Sequence, residues 1–146
     1  MLREETYNRL ISLTDEEVKI RNGEKSKIED LFSEKLLAKD VIQVGEFINI
    51  IRHIRFVDTP LHKHDFLEIA YVYKGKMIQK IKGQDVHLNE GELIFLNQHI
   101  LHEIRASGEN DIILNFVIKP KFFEYLFSLM DEENIMALGN RDSLWK

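Results

Sequence analysis

The residues best suited to chemistry are two histidines and a glutamate in one short segment, His62, His64 and Glu68. Side chains of a β-strand alternate between its faces, so these three positions, which share parity, can point the same way. His102, near the start of a later predicted strand, can supply a fourth group. We therefore predict that His62, His64, Glu68 and His102 form one ligand-binding site inside a barrel.

Three uses of these four residues remain open. As a metal centre, neutral imidazoles and a carboxylate would hold zinc, nickel, iron or manganese, and the sequence does not rank these ions. As an organic pocket, the same groups would bind hydroxyl groups or a carboxylate of a small effector, a sugar or an organic acid. As a purely structural feature, they would only satisfy one another.

Five further polar residues are weaker candidates. His53, His87 and His99 occur singly, which is typical of surface histidines, and His99 is the best of them because it lies close to His102 in the sequence. Arg52 and Arg55 flank the first predicted strands. We interpret both as solvated edge charges, with a clamp on an anionic effector as the alternative.

The N-terminal residues 1–40 have the pattern of helices. Thr14-Asp15-Glu16-Glu17 fits a capping box that divides this stretch into two short helices, and Asn22-Gly23 is a stop signal. A second helical stretch is expected near 26–38.

Residues 120–146 contain another helix, which begins at Pro120, and then a tail. The helix carries an apolar stripe, which either covers the open end of the barrel or forms a dimer contact. The stripe comprises Phe122, Phe123, Leu126, Phe127 and Met130.

Residues 41–119 instead have short runs rich in Ile, Val, Phe and Tyr, separated by turn residues. Many short strands at regular spacing indicate a β-sandwich or barrel. Phe66, Tyr71, Tyr73 and Phe95 are expected in its core. The predicted strands are 44–51, 53–57, 66–73, 76–82, 84–88, 92–96, 101–106 and 111–118.

The site residues resemble the first motif of the cupin superfamily, in which a His-x-His pair is followed by a glutamate and then a glycine. His62, His64, Glu68 and Gly75 match it without a gap. The second motif begins at Gly91 and places its histidine at His102. Several turn and flanking positions of the family pattern are replaced, by Phe56, Asn97, His99 and Ala106.

A closer resemblance is to the sensor domain of AraC-type transcription regulators. Three segments of this chain carry it, namely the first motif from His62 to Gly75, the run Gly91-Glu92-Leu93-Ile94-Phe95-Leu96, and the stretch from Ile113 to Phe123. The resemblance implies a mainly β cupin fold, a double-stranded β-helix or jelly-roll barrel, with flanking N- and C-terminal helices. It also implies a small-molecule effector, a homodimer, and DNA binding through a helix-turn-helix domain that these residues do not include. A small metal-dependent cupin enzyme of the isomerase or dioxygenase type is the alternative.

Composition limits the remaining possibilities. The chain has no Cys, which excludes disulfides, Cys-ligated zinc and thiol nucleophiles. Its 20 basic against 25 acidic residues give a net charge of -5, and such a balance does not favour direct binding of nucleic acid. No apolar run suits a signal peptide or a membrane helix, so we expect a cytoplasmic protein. No phosphate-binding or serine-hydrolase motif is present.

Overall fold

The computed structural model describes residues 3–25 and 35–129. Helix α1 spans Glu4–Ile11 and helix α2 spans Asp15–Arg21. The predicted capping box is confirmed, because the Thr14 hydroxyl accepts from the Glu17 amide while the Glu17 carboxylate accepts from the Thr14 amide. The predicted stop is also confirmed, since α2 ends at Arg21 with Asn22 as its C-cap, and Gly23 takes a positive φ of 81°.

Nine strands and two more helices follow in the described part of the chain. Residues 26–34 and 130–146 lie outside it, and with them most of the helix predicted near 26–38 and Met130 of the apolar stripe. The elements are β1 Lys35–Leu36, α3 Ala38–Val41, β2 Ile48–Arg52, β3 Thr59–His64, β4 Leu67–Lys74, β5 Lys76–Ile81, β6 Gln84–Asn89, β7 Leu93–Leu96, β8 His102–Ile104, β9 Ile112–Ile118 and α4 Pro120–Leu129.

The strands form two sheets. The first has the order β1-β3-β8-β5-β6, and the second has the order β2-β9-β4-β7. All pairs are antiparallel except β1 with β3, which are parallel. Apolar side chains from both sheets form the core, in which one buried cluster comprises Ala70, Val72, Met77, Leu88, Ile104 and Ile113. The predicted fold class, a mainly β structure with flanking helices, is confirmed.

Two predicted elements were wrong. Residues 53–57 do not form a strand, and the strand begins later, at Thr59. Thr59 and Pro60 belong to this strand, because a proline is tolerated near the start of a strand, and the register of β3 shifts between Thr59 and His62. Residues 35–36, expected in a helix, pair with β3 instead. The division of the chain at residues 40 and 120 stays a prediction.

Glu17 anchors the N-terminal helices to the barrel. Its carboxylate accepts from the Arg55 guanidinium at 2.9 and 3.0 Å and from Arg52 at 2.8 Å. Arg55 also donates to the backbone oxygens of Ile11, Ser12 and Glu109. Arg55 is only 1% exposed, so its interpretation as a solvated edge charge was wrong. Both arginines bind the Glu17 carboxylate of this chain. The sequence pattern did not reveal this partner, because Glu17 lies on a helix far away in the sequence.

Helix α4 begins at Pro120, as predicted, and lies against the outside of the second sheet. Phe122 packs on Phe47 at 5.9 Å between ring centroids, and Phe123 packs edge-on against Phe95 at 6.2 Å. Phe95 therefore points outward, and the expectation that it lies in the core was wrong. Phe66, which was expected there too, is fully buried.

No helix in the described residues is long and apolar enough to cross a membrane.

Candidate ligand-binding and metal site

The two sheets bring the predicted site residues together from opposite sides. His62 and His64 lie on β3, and His102 lies directly opposite His62 on the neighbouring strand β8. Glu68 lies on β4 of the other sheet. One nitrogen each of His64 and His102 and one oxygen of Glu68 lie within 4.8 Å of one another. We call these three residues the triad.

His62 borders the triad without belonging to it. Its ring centroid is 4.2 Å from that of His102 and 6.4 Å from that of His64. All four residues are buried, and Phe66 stacks on the His64 ring at 4.2 Å with an interplanar angle of 7°. The packing therefore fixes the orientation of His64.

Backbone carbonyls set the tautomers of the histidines. The Nδ1 atoms of His62, His64 and His102 lie 2.7–2.9 Å from the oxygens of Pro60, Phe66 and Ile100. A carbonyl only accepts, so each Nδ1 carries the proton and each neutral ring turns the lone pair of Nε2 away from that carbonyl. Metal-binding histidines in proteins are oriented in this way.

Burial keeps these imidazoles uncharged near neutral pH. Removal from water lowers the pKa of His64 to about 4 and that of His102 to about 3, and it lowers the pKa of His62 as well. Burial also raises the pKa of Glu68 to about 7. The contact of 3.7 Å between His64 Nε2 and Glu68 Oε2 is therefore not an ion pair at neutral pH, because His64 is uncharged.

The polar atoms that would bind a metal have no hydrogen-bond partner in the part of the chain that the structure describes. They are the Nε2 atoms of His64 and His102 and the Oε1 atom of Glu68. Buried polar atoms in native proteins are normally paired, so unpaired ones that converge on one point indicate a missing ligand, ion or water. Ligands of one divalent ion are ~3–4 Å apart, so the triad needs only a small contraction to hold one. The residues present thus fit a metal.

Comparison with known families identifies the barrel. Residues 49–117 match the family described as "AraC-like ligand binding domain". The match covers just under half of the chain. It contains in full the three strands that carry the predicted site residues, β3, β4 and β8, and the resemblance that the motifs carried is confirmed.

Several solved structures are similar to part of this chain at low sequence identity. A cupin-2 domain protein from Shewanella frigidimarina is 16% identical over 53% of this chain and 74% of its own, with a TM-score of 0.43. KdgF from Halomonas sp. is 17% identical over 49% and 69%, with a TM-score of 0.44. The DMSP lyase DddQ from Ruegeria pomeroyi is 16% identical over 52% and only 40% of its own length, with a TM-score of 0.44. No curated protein matches this chain significantly.

The AraC-like domain also contains inward polar residues that the sequence analysis missed. The side-chain oxygens of Thr59, Gln79 and Asn115 are buried and have no hydrogen-bond partner among the described residues. Strand parity was the signal, since Gln79 lies two residues from inward Met77 on the same face, and Asn115 lies between inward Ile113 and Val117. His53, expected at the surface, is buried too, with an unpaired Nε2. Burial, together with the nearby His62, lowers the pKa of His53 to about 4.

Two turn positions of the AraC-like domain keep a backbone conformation that favours glycine, although glycine is absent. Phe56 has a φ of 72° and His99 a φ of 64°. The His99 amide donates to the His64 oxygen at 2.7 Å, which ties this turn to the triad. Gly75, by contrast, keeps the expected residue at φ 78°, where an added Cβ would lie 3.0 Å from the Asn110 oxygen. At Phe56 and His99, the replacement of glycine therefore leaves the backbone in the conformation that glycine favours.

Proposed function

We propose that this chain is the effector-sensing domain of an AraC-type transcription regulator, and that it binds rather than transforms its ligand. The effector, a sugar or an organic acid, lies between the sheets and contacts His62, His64, Glu68 and His102. Binding favours one of two arrangements of the flanking helices. This requires that the effector bind that arrangement with a higher affinity than the other. The signal passes to a helix-turn-helix DNA-binding domain outside these residues, in a cytoplasmic homodimer.

The observation that carries this proposal is the set of unpaired polar atoms inside a barrel of the AraC-like family. Beside the triad, Thr59, Gln79 and Asn115 each turn an unpaired oxygen into the interior. Each such atom costs about 1–3 kcal/mol when it stays unpaired in a buried place. A ligand with several polar groups removes this cost.

We also propose that a divalent ion, zinc, nickel, iron or manganese, is part of the site. His64, Glu68 and His102 would hold it, and His62 would be a fourth ligand or a contact of the effector. When bound, the ion supplies a Lewis acid that attracts an oxygen of the effector. The chain itself contributes the fixed tautomers, the buried surroundings and the stacking of Phe66 on His64.

Thermal unfolding of metal-free protein with added ions tests the site. We expect Zn²⁺, Ni²⁺, Mn²⁺ or Fe²⁺ to raise the melting temperature of the wild type, because a ligand that binds only the folded state stabilises it. His64→Ala should abolish this rise, while His87→Ala, which alters an exposed histidine on β6, should keep it. A rise of equal size in both variants, or none in the wild type, would argue against the metal.

The effector is tested separately, with a panel of monosaccharides and small carboxylic acids as probes. At least one class should raise the melting temperature of the wild type and not that of a His62→Ala, His64→Ala double variant. In a cell that carries the complete regulator and a reporter gene, the same double variant should lose its response to the effector. An unchanged response would show a dimerisation module with a vestigial pocket.

A second candidate function, a small metal-dependent cupin enzyme of the isomerase or dioxygenase type, is favoured by the triad. Two neutral Nε2 atoms and one carboxylate leave room for further ligands on one ion. Metal analysis of the protein as purified tests this candidate. Stoichiometric iron or nickel that is lost in His64→Ala would fit the enzyme and the metal-containing sensor alike, whereas folded protein free of metal would contradict the enzyme.

A further inference from the structure

A groove lies on the surface of the domain, where helix α3, the loop before β2 and the start of α4 meet. Its volume is about 580 Å³, which is within the range of ~300–1,000 Å³ that is usual for small-molecule sites. None of the residues that line it belongs to the triad or to the unpaired polar residues of the barrel interior. The groove is therefore a candidate site separate from the one inside the barrel.

Tertiary contacts hold the walls of this groove in place. On one side, the Asp65 carboxylate accepts from the Ala38 amide at 2.6 Å and so fixes the start of α3. On the other side, the Lys119 amide donates to the Phe47 oxygen at 2.9 Å, and the Phe47 ring packs on Phe122 of α4 at 5.9 Å. The groove is thus built by three elements that are bonded to the barrel or to one another.

Much of the lining of the groove is apolar and open to solvent. Val44 is fully exposed, and Phe47 is 51% exposed although it packs on α4. Ile42, which also lines the groove, belongs to a buried cluster with Phe66 and Val117, so the apolar lining continues into the core. Covering these side chains with the apolar part of a ligand is favourable, because it removes apolar surface from water.

Three lysines border this apolar lining. Lys39 lies on α3, and Lys119 and Lys121 lie on either side of Pro120, where α4 begins. None of the three forms an ion pair with a residue that the structure describes. Asp65 is the one acid among the described residues that line the groove, so three cations face one carboxylate. The groove is locally positive on a chain whose net charge is -5.

We propose that this groove binds a small amphipathic carboxylate, with its apolar tail on Val44 and Phe47 and its carboxylate between the lysines. Hydrogen bonds from an ammonium group to a carboxylate are among the strong ones in proteins. The size of the groove favours a small molecule over a protein partner. Ten residues line it, whereas a stable protein interface needs about 20–30 on each side. The proposal does not depend on what the barrel binds.

Isothermal titration calorimetry with decanoate tests the groove. Hexanoate, which buries fewer methylene groups, should bind about 10-fold more weakly than decanoate. Decyltrimethylammonium has an alkyl chain of the same length and a cationic head group, and it should also bind at least about 10-fold more weakly. The net charge of -5 would favour this cation at any site that is not locally positive.

Variants without a lysine charge show which residues bind the head group. The double variant Lys39→Gln, Lys119→Gln should bind decanoate about 10-fold more weakly than the wild type. Lys76→Gln is the matched control, because it removes the charge of an exposed lysine on β5, away from the groove, and it should leave the affinity unchanged. An equal loss of affinity in both proteins would show diffuse attraction of the anion and would overturn the proposal.

A second measurement needs only the wild type and therefore does not depend on how the variants fold. On addition of decanoate, the amide chemical shifts of residues 37–47 and 119–121 should change, while those of Gln79 and His102 in the barrel should stay nearly constant. The proposal is overturned if decanoate does not bind, if decyltrimethylammonium binds as tightly, or if the shifts change inside the barrel instead. Binding that weakens as the protein concentration rises would also overturn it, because a second copy would then fill the groove.

Discussion

Among the described residues, the buried polar clusters around Glu17 and around Glu68 are built in opposite ways. Around Glu17, the carboxylate and the Arg55 guanidinium are surrounded by hydrogen-bond partners within the chain. Around Glu68, the triad atoms converge and have none. A saturated cluster stabilises the fold, and its partners are all present. An unsaturated cluster costs stability and is explained by a ligand that the chain itself does not supply.

The largest effect that this comparison predicts is on stability, at the saturated cluster. Arg55→Ala leaves Glu17 buried without its main partner and should lower the free energy of unfolding by about 3–5 kcal/mol. Arg21→Ala is the control, since Arg21 pairs with Glu109 in an exposed ion pair and should cost less than about 1 kcal/mol. Urea unfolding measures both. Similar losses in the two variants would show that the Glu17 cluster is not the anchor.

The next effect concerns pH. Burial alone would raise the pKa of Glu17, but the hydrogen bonds from Arg55 and Thr14 and the charge of Arg52 outweigh it and lower the pKa to about 2. The ordinary value is 4.5, so the unfolded state takes up the proton first as the pH falls. The stabilisation is complete above about pH 5 and is lost progressively towards pH 2, by about 3 kcal/mol in total.

Unfolding curves between pH 7 and pH 2 measure this loss. Glu17→Gln should be less stable than the wild type at pH 7, and its stability should fall less steeply with acid because the titrating group is gone. If the two proteins lose stability in parallel, another group is responsible for the acid sensitivity.

At the unsaturated cluster, the comparison predicts a change of the opposite sign. Glu68→Met keeps the length of the side chain and removes a carboxyl group with an unpaired oxygen. We expect the metal-free protein to gain about 1 kcal/mol in its free energy of unfolding. The same variant should lose the stabilisation by added Zn²⁺. A destabilised variant would mean that Glu68 supports the fold, and the distinction between the two clusters would then fail.

The two clusters also differed in how well the sequence predicted them. His62 and His64 share parity within one strand, so local strand geometry was sufficient to place these two on one face. Glu68 lies on a strand of the other sheet, so the expectation that parity puts it on the same face was wrong, and only the motif linked it to the histidines. The pair of Glu17 and Arg55 joins a helix to an irregular segment 38 residues away, and no periodicity links such positions. Both arginines were accordingly misinterpreted as surface charges, and His53, in the same irregular segment, was misplaced as well.

The barrel was predicted for a related reason. Short apolar runs separated by turn residues determine strands locally, and eight of the nine described strands fall in the region that we had assigned to them. The strand predicted at 53–57 was wrong because its apolar residues suggested a strand, while the tertiary hydrogen bonds of Arg55 hold it in another conformation. The apolar residues on the outside of the second sheet, such as Ile50, Leu93 and Phe95, could not be distinguished from core residues without the register of the strands.

The smallest predicted effect tests strain beside the triad. His99 has a φ of 64°, in the region where glycine has no steric cost, and its amide donates to the His64 oxygen. His99→Gly keeps that amide and relieves the strain, so it should add about 0.4–1 kcal/mol to stability. His87→Gly is the control, because it places glycine inside strand β6 and should destabilise by about as much. If His99→Gly instead destabilises, the exposed imidazole makes a contact worth more than the strain, and His99 then belongs functionally with the triad.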